Sequence, residues 1–255
     1  MWALDRTIRI AFSVGFLALL VAIWHLLSVT GVVSPIYLPS PAKAWSALLF
    51  EMGGGELPWL ILRTLEHMIF GWLLASVVGV GLGMSIGISH RARRLLGPTL
   101  EFFRPLPASA VFPVAIAIFG LSEGMVYVVI AFGAVWPTLL ATVNGFTQLT
   151  PRLNELRALL AINAFDFVRK IALPSAMPDI LAGMRLSLTV SLILSVTGEI
   201  LSSSEGLGYW IMLQARAYRS DSLFAGVLLF GAIGYLTAKL LGLVEQRVLR
   251  WKRIY

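Results

Sequence analysis

The chain has 255 residues, 58% of them hydrophobic and only 13% charged, far from a soluble domain, in which roughly a quarter of the residues are charged. Cysteine is absent and the three histidines (His25, His67, His90) are scattered, which excludes disulfide frameworks, thiolate metal sites and clustered metal ligands. The formal charge of +7 comes from basic residues flanking apolar segments rather than forming one stripe, which fits membrane orientation better than nucleic acid.

Ile10 to Val29 is a twenty-residue apolar run with His25 as its only ionisable group, preceded by Arg6 and Arg9. It exceeds the roughly 7–15 residues of a signal-peptide core and no small-residue cleavage pattern follows, so it predicts a first membrane helix that stays in place, span 10–29. Gly31 to Arg63 is expected to leave the membrane. Leu38-Pro39-Ser40-Pro41 sets an extended turn, and Ala42 to Glu51 predicts a short interfacial helix. The charge-free stretch 68–88 is the second span. In it Gly71, Ala75, Gly79, Gly83 and Gly87 fall on every fourth residue, a face that lets another helix approach closely. The same glycines do not make a dinucleotide loop, because no strand precedes them and no acidic partner follows.

His90 to Arg94 (HRARR) is a basic cluster, and Arg104 to Pro113 (RPLPASAVFP) carries three prolines into a third span, 106–121. Such prolines bend or break a membrane helix where protein or a cavity satisfies the freed backbone. The fourth span, 125–146, contains Pro137 and ends near Asn144. The fifth, 180–200, bears Arg185 near its start and Glu199 near its finish. Ser202 to Gly208 is a turn region. The sixth span, 223–244, is interrupted by Lys239 and leads to a basic tail, RVLRWKRIY.

Between the fourth and fifth spans lies the largest polar interruption, 150–174, TPRLNELRALLAINAFDFVRKIALP. Thr150 followed by Pro151 predicts a helix start, a hydroxyl cap and then a residue whose missing N–H costs nothing in the first turn. Leu153, Leu156 and Leu160 recur at helical spacing. Asn163 is expected to end this helix in a left-handed cap, Asp166 to open a second short helix, and Pro174 to stop it. Two short helices joined by a tight bend make a compact knob. The residues alone favour a solvated cytoplasmic loop or an interfacial amphipathic helix.

Glu155, Ala161 and Ile171-Ala172-Leu173-Pro174 follow the spacing E-A-A, three residues, G, nine residues, I-x-L-P. With LPSP at Leu38, Gly183-Met184-Arg185 and GLGY at Gly206, the chain resembles the permeases of binding-protein-dependent ABC importers, of the nitrate/taurine/alkanesulfonate type. Leu156 and Arg157 stand where that family has small residues, and Ala161 where it has Gly. The resemblance implies an all-α membrane protein with six transmembrane helices of the type I ABC importer permease kind, forming one permease domain over 1–255 with a cytoplasmic coupling helix. That helix would seat in a groove on a separate ATPase subunit, which would hold ATP and Mg, through Glu155, Ala158, Ala161, Ile162, Asn163, Ala164, Phe165, Ile171, Leu173 and Pro174. GLGY would form a short outer re-entrant helix, and the proline-rich lead-in would shape a pore-side helix or simply a kink. A second permease copy would complete a homodimer in membrane lipid. A periplasmic or lipid-anchored substrate-binding protein would dock near residues 202–219. The cargo would be a small solute such as a sulfonate, taurine or nitrate, and the location a bacterial inner membrane.

Charge sets the orientation independently of the motif. With the amino terminus inside, inner segments hold fourteen Lys and Arg against four outside, Arg185 and Lys239 being left out as lying within spans. Positive loops stay cytoplasmic, so both termini and the 150–174 segment are expected in the cytoplasm. No G-x-x-x-x-G-K-S/T loop, H-E-x-x-H or G-x-S-x-G occurs, so the chain is expected to be a pore-forming subunit and not an enzyme, with no cofactor of its own. Glu66 with His67 is the nearest approach to an acid–base pair, and reads more simply as interfacial groups in water. Ionisable groups in spans nominate Arg185, Glu199 and Lys239 for the translocation pathway, against snorkelling to the nearer interface. Asn144, Ser195 and Thr197 are further polar candidates. The competing classes are an ion-gradient-driven secondary transporter, which would show inverted repeats and broken helices, and a membrane-embedded enzyme or scaffold.

Overall fold

The computed structural model describes residues 2–148 and 162–251, and all regular structure among them is helical. The helices are α1 (Trp2–Val29), α2 (Pro41–Gly54), α3 (Leu57–Ile88), α4 (His90–Phe103), α5 (Ala108–Phe119), α6 (Glu123–Thr147), α7 (Ala164–Phe167), α8 (Leu173–Ser202), α9 (Leu207–Arg216) and α10 (Ser220–Val248), with a π-helical turn, Val168–Ala172, joining α7 to α8. Among the described residues, five stretches are long and apolar enough to cross a bilayer: Ala11–Val29, Leu57–Ile88, Glu123–Thr147, Phe165–Ser202 and Ser220–Val248. The pair α4 and α5, bent by 91° between them, makes a sixth if counted as one span.

The described residues fall into two compact units. One holds the chain up to Leu60 with Trp210–Gly231. Here the LPSP turn is tied to α1, because its extended backbone leaves carbonyls free: Trp24 Nε1 donates to Pro39 O at 2.9 Å and Ser28 Oγ to Leu38 O at 3.0 Å. Ser40 then caps α2, with Pro41 in the first turn. Arg219 and the Ser222 hydroxyl both reach Glu51 of α2, at 3.0 and 3.3 Å, and Trp24 stacks on Phe224 with ring centroids 5.5 Å apart.

The other unit, Ile61–Tyr209 and the chain from Ala232 on, holds the main core. The small-residue face of α3 finds its partner in α6. A Cβ on Gly79 would sit 3.0 Å from Thr138 Cβ, one on Gly83 2.6 Å from Thr142 Cβ, and one on Gly87 2.6 Å from Phe146 Cβ. Helix α8 closes on α6 in the same manner, through Gly183 against Ala141 and the Pro137 carbonyl and through Gly145 against Ala176. In lipid, where burial supplies no hydrophobic drive between helices, such backbone approach is the main source of attraction.

The structure refines some expectations and corrects others. Helix α3 contains the expected span 68–88 and begins earlier, at Leu57, because nothing breaks the helix between Pro58 and His67. The third span, expected at 106–121, contains α5 (Ala108–Phe119, 12 residues), and the expected proline break falls at 104–107, where Pro105 and Pro107 cannot continue α4. Pro174 does not stop a helix. It lies in the first turn of α8, and the preceding π-turn, in which Leu173 N–H reaches Val168 O, opens the backbone where the proline ring would otherwise crowd a carbonyl. Asn163 is not a left-handed cap, since Ser203 and Tyr218 are the non-glycine residues with positive φ among those described. It caps α7 from in front, its Oδ1 accepting from Asp166 N–H at 2.7 Å. The expected first helix of the loop, with Glu155, Ala158 and Ala161, lies outside the described residues.

Candidate coupling and translocation site

Helix α8 has two ends of opposite chemistry. At its amino-terminal end, Phe167, Ala172, Ala176 and Ile180 form a buried apolar cluster with Phe146 of α6. Ile162, Ile171 and Leu173, all expected coupling residues, pack against that cluster, together with Val80 and Met84 of α3. Phe165 does the opposite and stands 72% exposed. Asp166 is held by Asn163 and, at 3.1 Å, by Lys170, so the short helix carrying Phe165 is braced on its polar side as well.

At the carboxy-terminal end the core is polar. Glu199 and His67 are both fully buried, and Glu199 Oε1 lies 3.0 Å from His67 Nδ1. Glu199 Oε2 accepts from Thr64 Oγ1 at 3.0 Å and from Gly208 N–H at 2.8 Å. The Thr64 hydroxyl in turn accepts from Leu207 N–H at 2.9 Å. The first two N–H groups of α9, which have no partner within their own helix, are thus satisfied by this cluster. A carboxylate there also meets the positive end of the helix dipole. His67 edges against Tyr127, ring centroids 5.5 Å apart, and its Nε2 has no hydrogen-bond partner among the described residues.

Residues 75–250 match the family described as binding-protein-dependent transport system inner membrane component, well over half of the chain. The chain belongs to this family. The permease is 33% identical over 238 residues to the aliphatic sulfonates transport permease protein SsuC of Bacillus subtilis (strain 168), spanning 93% of this chain and 86% of that one. It is 27% identical to the taurine transport system permease protein TauC of Escherichia coli (strain K12), over 98% of this chain and 92% of that protein. It is also 27% identical to the nitrate import permease protein NrtB of Leptolyngbya laminosa, over 95% and 89%. An inward-facing structure of the MetNI methionine ABC transporter superposes with a TM-score of 0.65, covering 74% of this chain and 96% of that one. At 19% identity that likeness carries the fold alone.

The structure brings few of the permease's expected pathway residues together. Glu199 makes the buried contacts above and does not reach water at an interface. Arg185 is exposed and paired with Glu245 of α10. Ser195 is buried and donates to Ser191 O at 2.7 Å, while half-buried Thr197 donates to Ile193 O at 2.9 Å, each turned back on its own helix. Asn144 is exposed, and Lys239 lies 5.7 Å from the Tyr235 ring centroid. The reading of Glu66 and His67 as interfacial groups in water fails for His67, which is fully buried and turned toward Glu199, while part-exposed Glu66 binds Arg63 at 2.8 Å. The available signal was the spacing of Thr64 and His67, three apart and therefore on one face of an otherwise apolar helix.

Proposed function

We propose that the permease imports a small anion, delivered by an external binding protein and driven by a separate ATPase that holds ATP and Mg, with both termini in the cytoplasm. The observation that carries this reading is the unbroken helical path from Phe165 to Ser202, 38 residues long. At about 1.5 Å per residue it measures about 55 Å, against about 30 Å of hydrocarbon, so it extends well beyond the membrane core. Its braced amino-terminal end offers exposed Phe165 to the ATPase, while Ile162, Ile171 and Leu173 pass the displacement to α6 and α3. Asn163 and Pro174 shape this foot, and the family resemblance assigns Ala164, Glu155, Ala158 and Ala161 to the same ATPase contact. Closure of the ATPase would tilt α8 between two arrangements, each favoured by a different nucleotide state. A second copy of the chain completes the pathway, with Asn144, Arg185, Ser195 and Thr197 as its candidate polar positions. The anionic cargo is supported by relatives named for sulfonate, taurine, nitrate and bicarbonate transport.

The test is uptake into proteoliposomes containing the permease and its co-purified ATPase. Radiolabelled taurine, nitrate, bicarbonate and an alkanesulfonate are supplied outside with the system's binding protein. Uptake of one of these anions that requires enclosed ATP supports the reading. Uptake driven by a sodium or proton gradient without ATP contradicts it.

A further inference from the structure

Helix α8 ends at Ser203, whose left-handed backbone (φ 54°) turns the chain into Ser204-Glu205-Gly206 before α9 begins. In this link the chain leaves the helical ladder, with the Ser204 N–H taken at 3.3 Å by the Ser202 hydroxyl. The Glu199 cluster bypasses it. One carboxylate oxygen takes the Gly208 N–H directly and orients the Thr64 hydroxyl, which takes the Leu207 N–H. The glycines make the approach possible: a Cβ on Gly206 would fall 2.2 Å from Glu199 Cδ, and one on Gly208 2.4 Å from Val196 O. The GLG sequence is therefore the imprint of a carboxylate pressed against backbone.

We propose that Glu199 is a positioning residue of the transport cycle, pinning the first turn of α9, Leu207–Tyr209, to the end of α8 so that this turn moves with α8 when nucleotide drives it. This rests on the reading that α8 is driven from its Phe165 end. Glu199 thereby joins the ATPase-facing foot to residues 202–209, the start of the segment on which the binding protein is placed. His67 holds the second carboxylate oxygen and fixes the rotamer.

The test uses the assembled permease–ATPase complex in lipid nanodiscs. The chain has no native cysteine, so spin labels go on introduced ones at Leu186 of α8, which is exposed, and Tyr209 of α9, which is half-buried. In the otherwise native protein the label distance is expected to stay single and narrow both without nucleotide and with Mg-ATP. Glu199→Ala is expected to lose that single distance once Mg-ATP is added. Glu199→Gln, whose amide oxygen still accepts from Gly208 N–H, is expected to keep it. Thr64→Val, which removes one hydroxyl at constant shape, serves if the alanine variant does not assemble, and is expected to broaden the distance in the same direction. A native-width distance with Mg-ATP in Glu199→Ala, or in Thr64→Val where that variant stands in, overturns the proposal; so does equal broadening in Glu199→Gln. A label at Phe165 in the native background reports separately on the underlying reading, which fails if Mg-ATP leaves that label unmoved.

Discussion

The two ends of α8 hold their neighbours by different physics. Around Phe167 the buried side chains form an apolar cluster, the backbone is loosened into a π-turn, and the aromatic ring of Phe165 is left uncovered. Around Glu199 directional hydrogen bonds join groups with no access to water. An apolar seat tolerates small sliding, whereas a buried carboxylate with its donors has one good geometry. The first suits a part that shifts against a motor, and the second a part that must travel without changing shape.

The contrast can be broken by mutation, beginning with the largest effect. Glu199→Ala strips the acceptor from buried donors on Thr64, His67 and Gly208, each worth about 1–3 kcal/mol, and is expected to destabilise by about 3–5 kcal/mol. Tryptophan-fluorescence unfolding in detergent reads this directly, and a loss under about 1 kcal/mol, the size of an ordinary surface change, would place the cluster in water. Gly83→Val forces a side chain to within 2.8 Å of the Leu139 carbonyl, backbone that cannot swing aside. Overpacking of this kind costs about 1–3 kcal/mol, and the same unfolding assay should register it. Asn163→Ala removes the cap of α7 and is expected to cost about 1 kcal/mol, with Asn163→Asp retaining most of the stability. Phe165→Ala, being exposed, should stay within about 0.5 kcal/mol of the native protein. It is nonetheless expected to weaken recovery of the ATPase in pull-down, as loss of an aromatic anchor does. Unchanged recovery would shift the contact to the residues of 150–161.

The features written locally were the readable ones. A glycine or alanine at every fourth position from Gly71 to Gly87 announces a close helix neighbour, and α6 occupies that face. The LPSP turn and the break near Pro105 likewise follow from what proline does to its own backbone. The partnership of His67 with Glu199 was not readable, because it joins residues 132 positions apart and depends on how α8 is rotated. Asn163 and Pro174 were read in their common local roles, as a helix end and a helix stop. Packing of Phe167 and Ala172 with Phe146 rewards continuing the helix through Pro174, while Asn163 instead caps α7 from in front.

The most direct test of the account is where Phe165 sits. Because the chain contains no cysteine, Phe165→Cys gives a unique thiol. In cells co-expressing the ATPase, this thiol is predicted to cross-link to that subunit and to resist a membrane-impermeant maleimide added outside. Labelling by the external reagent, or absence of the cross-link in an assembled and active complex, would contradict it.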